Sequence, residues 1–304
     1  MSFFRVTLLG SGSNGNCTLI ETPKVRILVD AGFSGKQIAE RLAGLGLTLA
    51  DIQGVLITHE HSDHVMGLPV LANRWNIPVY CNRLTAESLK PDLPKFKDWR
   101  LFRTGESLDL EDLTVDTFPI PHDAYDPCGF VFHRGSEAVG FLTDLGYATK
   151  LVVERVRAST VLILEANHDV GLLRADTKRP WGVKQRILAR HGHLSNEAAA
   201  TVAAQIVTDR LRHLFLGHLS EDCNRPELAE QVVKSKLEQM GVAHVQIHKT
   251  FQGNPNSPLE VEGPLDKETP EKGFPAEGPA LAPRDYVSPK VSEPSPSVFV
   301  LRAE

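Results

Sequence analysis

The sequence predicts an α/β fold in which helices cover the outer faces of β-sheets, and three observations support this. Short apolar runs bounded by turn residues, typical of buried strands, recur along the chain. Longer amphipathic stretches, typical of helices, lie between many of these runs. The 304 residues are 41% hydrophobic, which is enough for one sizeable core. Strands mixed with helices throughout indicate sheets with helices packed on their outer faces.

The predicted elements follow one another without an internal repeat. We expect strands near residues 3–9, 17–21, 25–29, 53–57, 78–81, 114–118, 128–133, 138–143, 160–165, 212–217 and 243–248. We expect helices near residues 34–44, 65–75, 84–90, 195–207 and 225–240.

Composition divides the chain after residue 253. Ten of the 20 prolines fall between Pro255 and Pro296, and few apolar clusters separate them. Such a segment buries too little surface to offset its ordering entropy, so we expect a main domain over 1–253 and a Pro-rich acidic extension over 254–304. The apolar stretch 297–302 could add to a sheet edge, either of its own domain or of a protein partner.

The net charge excludes a strongly basic nucleic-acid-binding protein but does not otherwise distinguish between functions. The formal net charge is −5, of which the extension carries −4, with nine acidic and five basic residues, so the main domain is close to neutral. A neutral domain can still hold an anionic polymer if basic groups gather near a site.

The cysteines and the N-terminal segment predict a cytoplasmic protein without a membrane anchor. Cys17, Cys81, Cys128 and Cys223 show no C-x-x-C spacing and lie in or beside apolar runs, as reduced and packed thiols do. The first residues lack the apolar core of a secretory signal, and no stretch reaches about 18 apolar residues.

The run Thr58-His59-Glu60-His61-Ser62-Asp63-His64 carries the strongest functional signal. It directly follows the predicted strand 53–57, and side chains at i and i+2 after a strand point to one side, which places His59 and His61 together. Asp63 and His64 fall where the next helix begins and can face a second ion. Three imidazoles this close to one another and to a carboxylate would repel one another when protonated, whereas a bound cation takes the place of the protons and removes this repulsion.

At these residues the chain resembles the metallo-β-lactamase superfamily, whose H-x-H-x-D-H signature matches His59, His61, Asp63 and His64. That superfamily also requires an acidic residue after an early strand, an isolated His, an isolated Asp and a final His, each at a strand end. The chain supplies them in that order, as Asp30, His122, Asp144 and His218.

The resemblance implies both a fold and a set of ligands. The fold is the four-layer αββα metallo-β-lactamase sandwich. Too few residues separate Asp144 from His218 in the sequence for a β-CASP insertion. One ion is expected on His59, His61 and His122, and the other on Asp63, His64 and His218, with Asp144 bridging. Asp30 is expected to orient a ligand histidine through the second ring nitrogen.

Two divalent ions imply hydrolysis, with a metal-bridging hydroxide as the nucleophile. The imidazoles favour zinc and the carboxylates leave room for manganese, so both ions remain open.

Four further segments, 9–17, 162–169, 190–197 and 217–224, resemble the YycJ/WalJ branch of the superfamily. That branch has a Ser-Gly-Ser-x-Gly-Asn loop, an Asn-His-Asp strand end, a Gly-His-Leu-Ser-Asn helix start and a His-Leu-Ser-x-x-x-Asn motif. The chain departs from it at Asp222-Cys223, where an Asn-rich or otherwise polar pair is expected.

The branch implies a metal-dependent exonuclease that degrades DNA from a 5′ end, with DNA repair as a setting. Asp63 would orient the nucleophile, and His193 would protonate the leaving oxygen with Glu165 as its partner. The residues expected to contact a substrate with a free 5′ end or a single strand are Ser13, Asn16, His168, Ser195 and Asn224.

Other functions and binding surfaces stay open from sequence alone. The same ligands could serve a small-substrate metallohydrolase acting on a thioester, lactone or cyclic nucleotide, or an RNA-processing nuclease. Several aromatic residues could stack on bases or simply pack, namely Tyr125, Phe130, Tyr147 and Trp181. The basic stretch 174–190 could track a nucleic-acid backbone or form a solvated face. The oligomeric state is not determined.

Overall fold

The computed structural model describes residues 2–261 and residue 263. The strands, β1 to β14 in chain order, are Arg5–Gly10, Cys17–Glu21, Arg26–Val29, Gly54–Leu56, Val79–Asn82, Trp99–Phe102, Ser107–Leu110, Leu113–Pro119, Cys128–Arg134, Glu137–Leu142, Val161–Glu165, His213–Gly217, Gln246–Lys249 and Leu259–Glu260. The α-helices, α1 to α9, are Gly35–Ala43, Ser62–Val65, Leu68–Trp75, Arg83–Leu89, Lys150–Val156, Val170–Ala175, Trp181–Leu188, Asn196–Ile206 and Pro226–Gln239.

The strands form two seven-stranded sheets that repeat one pattern. The first sheet has the order β14-β1-β2-β3-β4-β5-β6, and the second has the order β13-β12-β11-β10-β9-β8-β7. Counted from β14 in the first sheet and from β7 in the second, three antiparallel pairs are followed by three parallel pairs. The carboxyl ends of parallel strands meet at one edge of a sheet, where α/β proteins place their sites.

Three apolar clusters fill the spaces between four layers. One lies between the two sheets and includes Phe4, Phe130 and Phe215. A second joins the first sheet to helices α1, α3 and α4, and a third joins the second sheet to α5, α8 and α9. The predicted αββα sandwich is therefore confirmed.

The helix expected over 65–75 is interrupted, and the cause is a pair of competing hydrogen bonds. Continuation would need the amide of Gly67 to donate to the carbonyl of Asp63. Instead Gly67 N–H donates to Ala31 O (2.7 Å), and Asp63 O accepts from Asn16 N–H (2.9 Å). The chain consequently forms the short α2, which holds Asp63 and His64, and then a separate α3.

Six elements were not predicted, namely β6, β7, β14 and α5 to α7, and their exposure or short length explains why. Strand β14 has only two residues. Strands β6 and β7 each form an edge of a sheet and are partly exposed, so their apolar pattern is weak. Helices α5 and α6 have only seven and six residues. Helix α7 exposes most of its apolar side chains, so it lacks the usual amphipathic pattern.

The chain after residue 253 returns to the first sheet as far as it is described. β14 pairs with β1, and Val261 N–H donates to Phe4 O (2.7 Å). The rest of the extension, including the apolar stretch 297–302, lies outside the described residues. All four cysteines are free and buried. Among residues 2–261 and 263, no helix combines the length and apolar content that a bilayer crossing requires.

Truncation of a side chain between the sheets should destabilise the protein strongly. Phe130 on β9 is fully buried, and its ring lies edge-on to Phe102 with centroids 6.2 Å apart. Phe130→Ala should lower the free energy of unfolding by about 3–5 kcal/mol, because the cavity it leaves cannot collapse fully. Urea denaturation measures this. Leu101→Ala on β6, where the side chain is half exposed, is the control and should change stability little. Equal effects of both variants would contradict the described core.

Candidate metal centre

The predicted ligands lie just beyond the ends of strands from both sheets. His59 and His61 follow β4, and His122 follows β8. Asp144 comes two residues after β10, and His218 comes directly after β12. The two sheets therefore bring residues that are far apart in sequence to one shared edge.

The first group of donors consists of His59, His61 and His122. One ligand atom from each lies within 4.8 Å of the others. His61 Nδ1 is 3.0 Å from His59 Nε2 and 3.3 Å from His122 Nε2. Three imidazole nitrogens at this spacing form the kind of donor set that zinc and similar ions bind.

The second group consists of Asp63, His64, Asp144 and His218, again with ligand atoms within 4.8 Å of one another. His64 Nε2 is 3.4 Å from Asp63 Oδ2 and 3.2 Å from Asp144 Oδ2. His218 Nε2 is 3.2 Å from Asp63 Oδ2 and 3.5 Å from Asp144 Oδ1. Two imidazoles therefore face two carboxylates.

Asp144 lies between the groups and has an unsatisfied oxygen. Its Oδ1 is 3.9 Å from His122 Nε2 of the first group. Its Oδ2 is buried and has no hydrogen-bond partner, although His64 Nε2 is close by. A buried carboxylate oxygen without a donor is costly unless a cation lies beside it. The donor set and this oxygen fit divalent metal ions.

Asp30 orients His64 toward the second group. It is fully buried, and its Oδ2 accepts a hydrogen bond from His64 Nδ1 (2.7 Å). Its Oδ1 accepts from the backbone N–H of Thr58 (2.9 Å). Since Nδ1 carries the proton, the Nε2 lone pair of His64 points at carboxylate oxygens, and either a proton or a metal ion must lie between them.

The pKa values of the buried histidines reflect this arrangement. Burial alone would lower the pKa of His64, but Asp144, Asp63 and Asp30 hold it well above its usual value. Burial likewise opposes protonation of His218, yet Asp144, together with hydrogen bonds to other carboxylates, raises its pKa to about 10. The surrounding carboxylates thus favour positive charge at the place where the second ion is expected.

Glu165, the last residue of β11, connects two histidines. It is fully buried. Its Oε1 accepts from His193 Nδ1 (2.7 Å) and His218 Nδ1 (2.8 Å). Its Oε2 accepts from the backbone N–H groups of Leu145 (3.0 Å) and Leu194 (3.1 Å). Because these donors occupy both oxygens, the Glu165 carboxylate orients the two histidine rings. Glu165 and His193 also lie close enough together to contact the same ion.

Three of these residues have left-handed backbone conformations. Asp30 and Asp144 have φ of 60°, and His218 has φ of 55°. Each begins the loop after a strand, where the chain must turn sharply. Non-glycine residues in this region are uncommon and cluster at functional sites.

The Gly-rich loop after β1 packs against the histidine motif through Asn16. Asn16 N–H donates to Asp63 O, and Asn16 Nδ2 is 3.3 Å from His64 Nε2. Gly32 allows this contact, because a Cβ there would come within 1.7 Å of Asp63 O. Asn16 is buried and does not line the cavity, so the structure places it beneath the donor groups.

An open cavity of about 400 Å³ leads to the donor groups. His61, Asp63, Asp144, His193 and His218 line its floor. With Nδ1 held by Glu165, the Nε2 of His193 is the nitrogen left for a ligand. The wall residues are Ser13, Asn14, Ser62, Asp123, Asn167, Arg179, Val183, Arg186, Ile187, Gly192 and Ser220.

Of the five predicted substrate contacts, only Ser13 lines the cavity. The Ser195 hydroxyl instead caps helix α8 by accepting from Ala198 N–H (3.2 Å). Asn224 is buried and exchanges hydrogen bonds with Asn196 (2.9 Å each). His168 is buried, and its ring nitrogens have no hydrogen-bond partner; burial lowers its pKa to about 4.

Helix α7, which sequence analysis did not predict as a helix, supplies part of the cavity wall. Val183, Arg186 and Ile187 lie on this helix, and Arg179 precedes it. Asp222, where the chain departs from the expected motif, accepts hydrogen bonds from Lys178 (2.5 Å) and Arg179 (3.1 Å). The unusual acidic residue thus anchors the segment leading into α7, and the basic stretch 174–190 was the available sequence signal.

Comparisons with known proteins agree with this geometry. The family model described as "Beta-lactamase superfamily domain" matches residues 25–218, which include every residue of both donor groups. The metallo-β-lactamase fold protein YhfI from Bacillus subtilis has a TM-score of 0.66 and 17% identity. The alignment covers 86% of this chain and all of that one, and at this identity it shows the fold alone.

Two relatives define the family more closely. Exodeoxyribonuclease YycJ from Bacillus anthracis is 36% identical over 259 residues, which are 84% of this chain and 97% of the relative. Exodeoxyribonuclease WalJ from Streptococcus pneumoniae is 35% identical over 258 residues, covering 84% and 96%. The chain therefore belongs to the YycJ/WalJ family within the beta-lactamase superfamily.

Removal of the charge on Asp30 should weaken metal binding without unfolding the protein. Asp30→Asn keeps the volume and tolerates the left-handed backbone, but it no longer holds the His64 tautomer with a carboxylate. We expect affinity for Zn²⁺ or Mn²⁺ to fall about 10- to 100-fold in competition with a chromophoric chelator. Asp92→Asn, at an exposed carboxylate far along the chain, is the control. Equal affinities of wild type and Asp30→Asn would show that His64 does not depend on Asp30.

Proposed function

We propose that the protein is a dinuclear-metal phosphodiesterase that degrades DNA from a 5′ end. The observation that carries this proposal is the Glu165–His193 pair, in which the buried Glu165 holds His193 and His193 lines the cavity beside two groups of metal-competent donors. Cleavage that expels an alkoxide is assisted by metal ions and by a separate proton donor, and the site offers donor groups for the ions and a histidine for the proton. The relatives that match over nearly their whole length are named exodeoxyribonucleases.

Two ions would be held by the donor groups described above. His59, His61 and His122 would bind one, and the second group would bind the other, with Asp144 bridging. Imidazoles suit Zn²⁺, and the carboxylates also suit Mn²⁺. When bound, the ions would activate a water molecule and stabilise charge on the phosphate oxygens.

The protein's own residues have distinct roles in the cleavage. Asp63 lines the cavity and is only partly buried, so its carboxylate can accept a hydrogen bond from the attacking water. His193 would transfer a proton from Nε2 to the departing 3′ oxygen as the P–O3′ bond breaks. Glu165 fixes the orientation of the ring by accepting a hydrogen bond from Nδ1.

The cavity wall suits a phosphodiester better than a neutral ester. Arg179 and Arg186 contribute guanidinium groups, which also pair with carboxylates of Asp176, Asp222 and Asp123. Ser13 and Asn14 contribute hydrogen-bonding groups. These side chains can contact the phosphates on either side of the scissile bond. A small thioester or lactone would leave most of them unused.

Substrate preference can be tested directly. Purified protein with Mn²⁺ or Zn²⁺ should be incubated with single-stranded DNA, double-stranded DNA and RNA, each labelled at the 5′ or the 3′ end, and with a thioester panel. We expect immediate release of the 5′ label as mononucleotide, with the 3′ label retained in long products. Turnover of small esters alone, or of RNA alone, would contradict the proposal. Early loss of the 3′ label would reverse the polarity.

Removal of the His193 imidazole should slow cleavage without loss of metal. His193→Ala deletes the proton donor, so we expect the rate on 5′-labelled DNA to fall about 10²- to 10⁴-fold. Metal content, measured by plasma mass spectrometry, should stay equal to that of the wild type. His191→Ala, an exposed histidine two residues earlier, is the matched control and should keep its activity. Unchanged turnover of His193→Ala would remove this residue from the mechanism.

A further inference from the structure

Helix α7 has the opposite burial pattern from an ordinary surface helix. Its lysine, Lys184, is only 6% exposed. Its large apolar residues face solvent, with Trp181 60%, Val183 43% and Leu188 38% exposed. In contrast, helix α8 buries its apolar side chains against the second sheet.

The contacts of Lys184 explain this orientation. Its ammonium group donates to the carbonyl of Arg174 (2.9 Å), in the last turn of α6, and to the carbonyl of Asp176 just beyond. A cation is favoured at the carbonyl end of a helix, so these bonds hold the polar side of α7 against α6. The apolar side is consequently turned outward.

The outward face combines apolar area with positive charge. Residues 170–190 contain six basic side chains and one acidic side chain, Asp176, for a net charge of +5, whereas the rest of residues 1–253 carries −6 (−1 minus +5). Lys184 faces inward, and the other five basic side chains are at least partly exposed. Three of these five also pair with carboxylates, namely Lys178 with Asp222, Arg179 with Asp176 and Asp222, and Arg186 with Asp123. Arg190 lies over the ring of Tyr147, with its guanidinium carbon 4.5 Å from the ring centroid. A polyanion with exposed aromatic bases is complementary to this mixture, whereas a purely apolar protein surface is not.

The face also continues into the cavity. Val183, Arg186 and Ile187 line the same cavity as His193 and Asp63. A chain lying along α7 would therefore pass directly to the donor groups.

We propose that the outer face of α7 binds the single-stranded part of a DNA substrate, with Trp181 stacking on an unpaired base. This inference rests on the proposed function and names the form of DNA that the site takes. Unpaired bases present a free π-face to the indole ring, while bases inside a duplex are already stacked on each other. Arg186 and the neighbouring basic residues would contact the phosphates. Trp181 thereby favours single-stranded over duplex DNA.

Binding without added metal tests this directly. Full-length protein in EDTA is titrated against a 5′-fluorescein oligo-dT and against a blunt duplex of the same length, and anisotropy is recorded. Trp181→Ala should weaken binding of the single strand about tenfold, the loss expected for one stacked base, and leave duplex binding unchanged. Trp181→Phe should retain most of the affinity, because phenylalanine also stacks.

Trp75→Ala is the matched control. Trp75 is a comparably exposed tryptophan (48%) at the end of α3, and it does not line the cavity. Its loss should change neither affinity. Equal single-strand binding by the wild type and Trp181→Ala would overturn the proposal and leave the face as a contact for a protein partner. An equal loss of single-strand and duplex binding would overturn the preference for unpaired bases.

A second measurement separates this inference from the proposed function. Cleavage of 5′-labelled DNA and of bis(p-nitrophenyl) phosphate is measured for the wild type and Trp181→Ala. Trp181 does not line the cavity, and the small diester is too short to extend from the donor groups to it, so Trp181→Ala should keep that activity and lose DNA cleavage at low DNA concentration. If the wild type cleaves neither substrate, the proposed function fails. If both proteins cleave DNA equally at low concentration, only the role of Trp181 fails.

Discussion

The centre depends on the cost of burying negative charge. Asp30, Asp144 and Glu165 are all buried carboxylates, and each must be surrounded by donors or cations to stay ionised. Glu165 meets this requirement with two imidazoles and two backbone amides, and Asp30 meets it with Thr58 and His64. Asp144 does not, because one of its oxygens has no donor. The network is therefore complete only when positive charge lies at the shared edge of the sheets.

The repeated sheet pattern explains why that edge can collect so many donors. Each sheet turns from antiparallel to parallel pairing midway, and the strands around this change end near the same place. The first sheet contributes the histidine motif and Asp30. The second contributes Asp144, Glu165 and His218. Neither half contains a complete site, so metal binding requires both sheets to be packed together.

Sequence predicted the parts of the site that are set by local geometry. A histidine motif between a strand and a helix, and polar residues at later strand ends, carried the resemblance to the metallo-β-lactamase superfamily, and that resemblance implied both donor groups and the sandwich. Sequence could not show that Glu165 contacts His193 and His218 together, because that depends on how two loops meet. It also could not place Asn224, whose side chain exchanges hydrogen bonds with the buried Asn196. Helix α7 was missed because Lys184, rather than its apolar residues, faces inward.

Asp30, Asp144 and His218 have left-handed backbone conformations, and this affects which substitutions can be used to inactivate the site. It also affects which replacements a mutational screen would recover. An alanine at such a position destabilises the fold by about 1–2 kcal/mol through the backbone alone, in addition to removing the side chain. A lower yield of folded protein would then be mistaken for the loss of a metal ligand. Asparagine and glycine accept this geometry. Tolerance profiles at these three positions should therefore rank glycine above alanine, the reverse of the order expected within a helix.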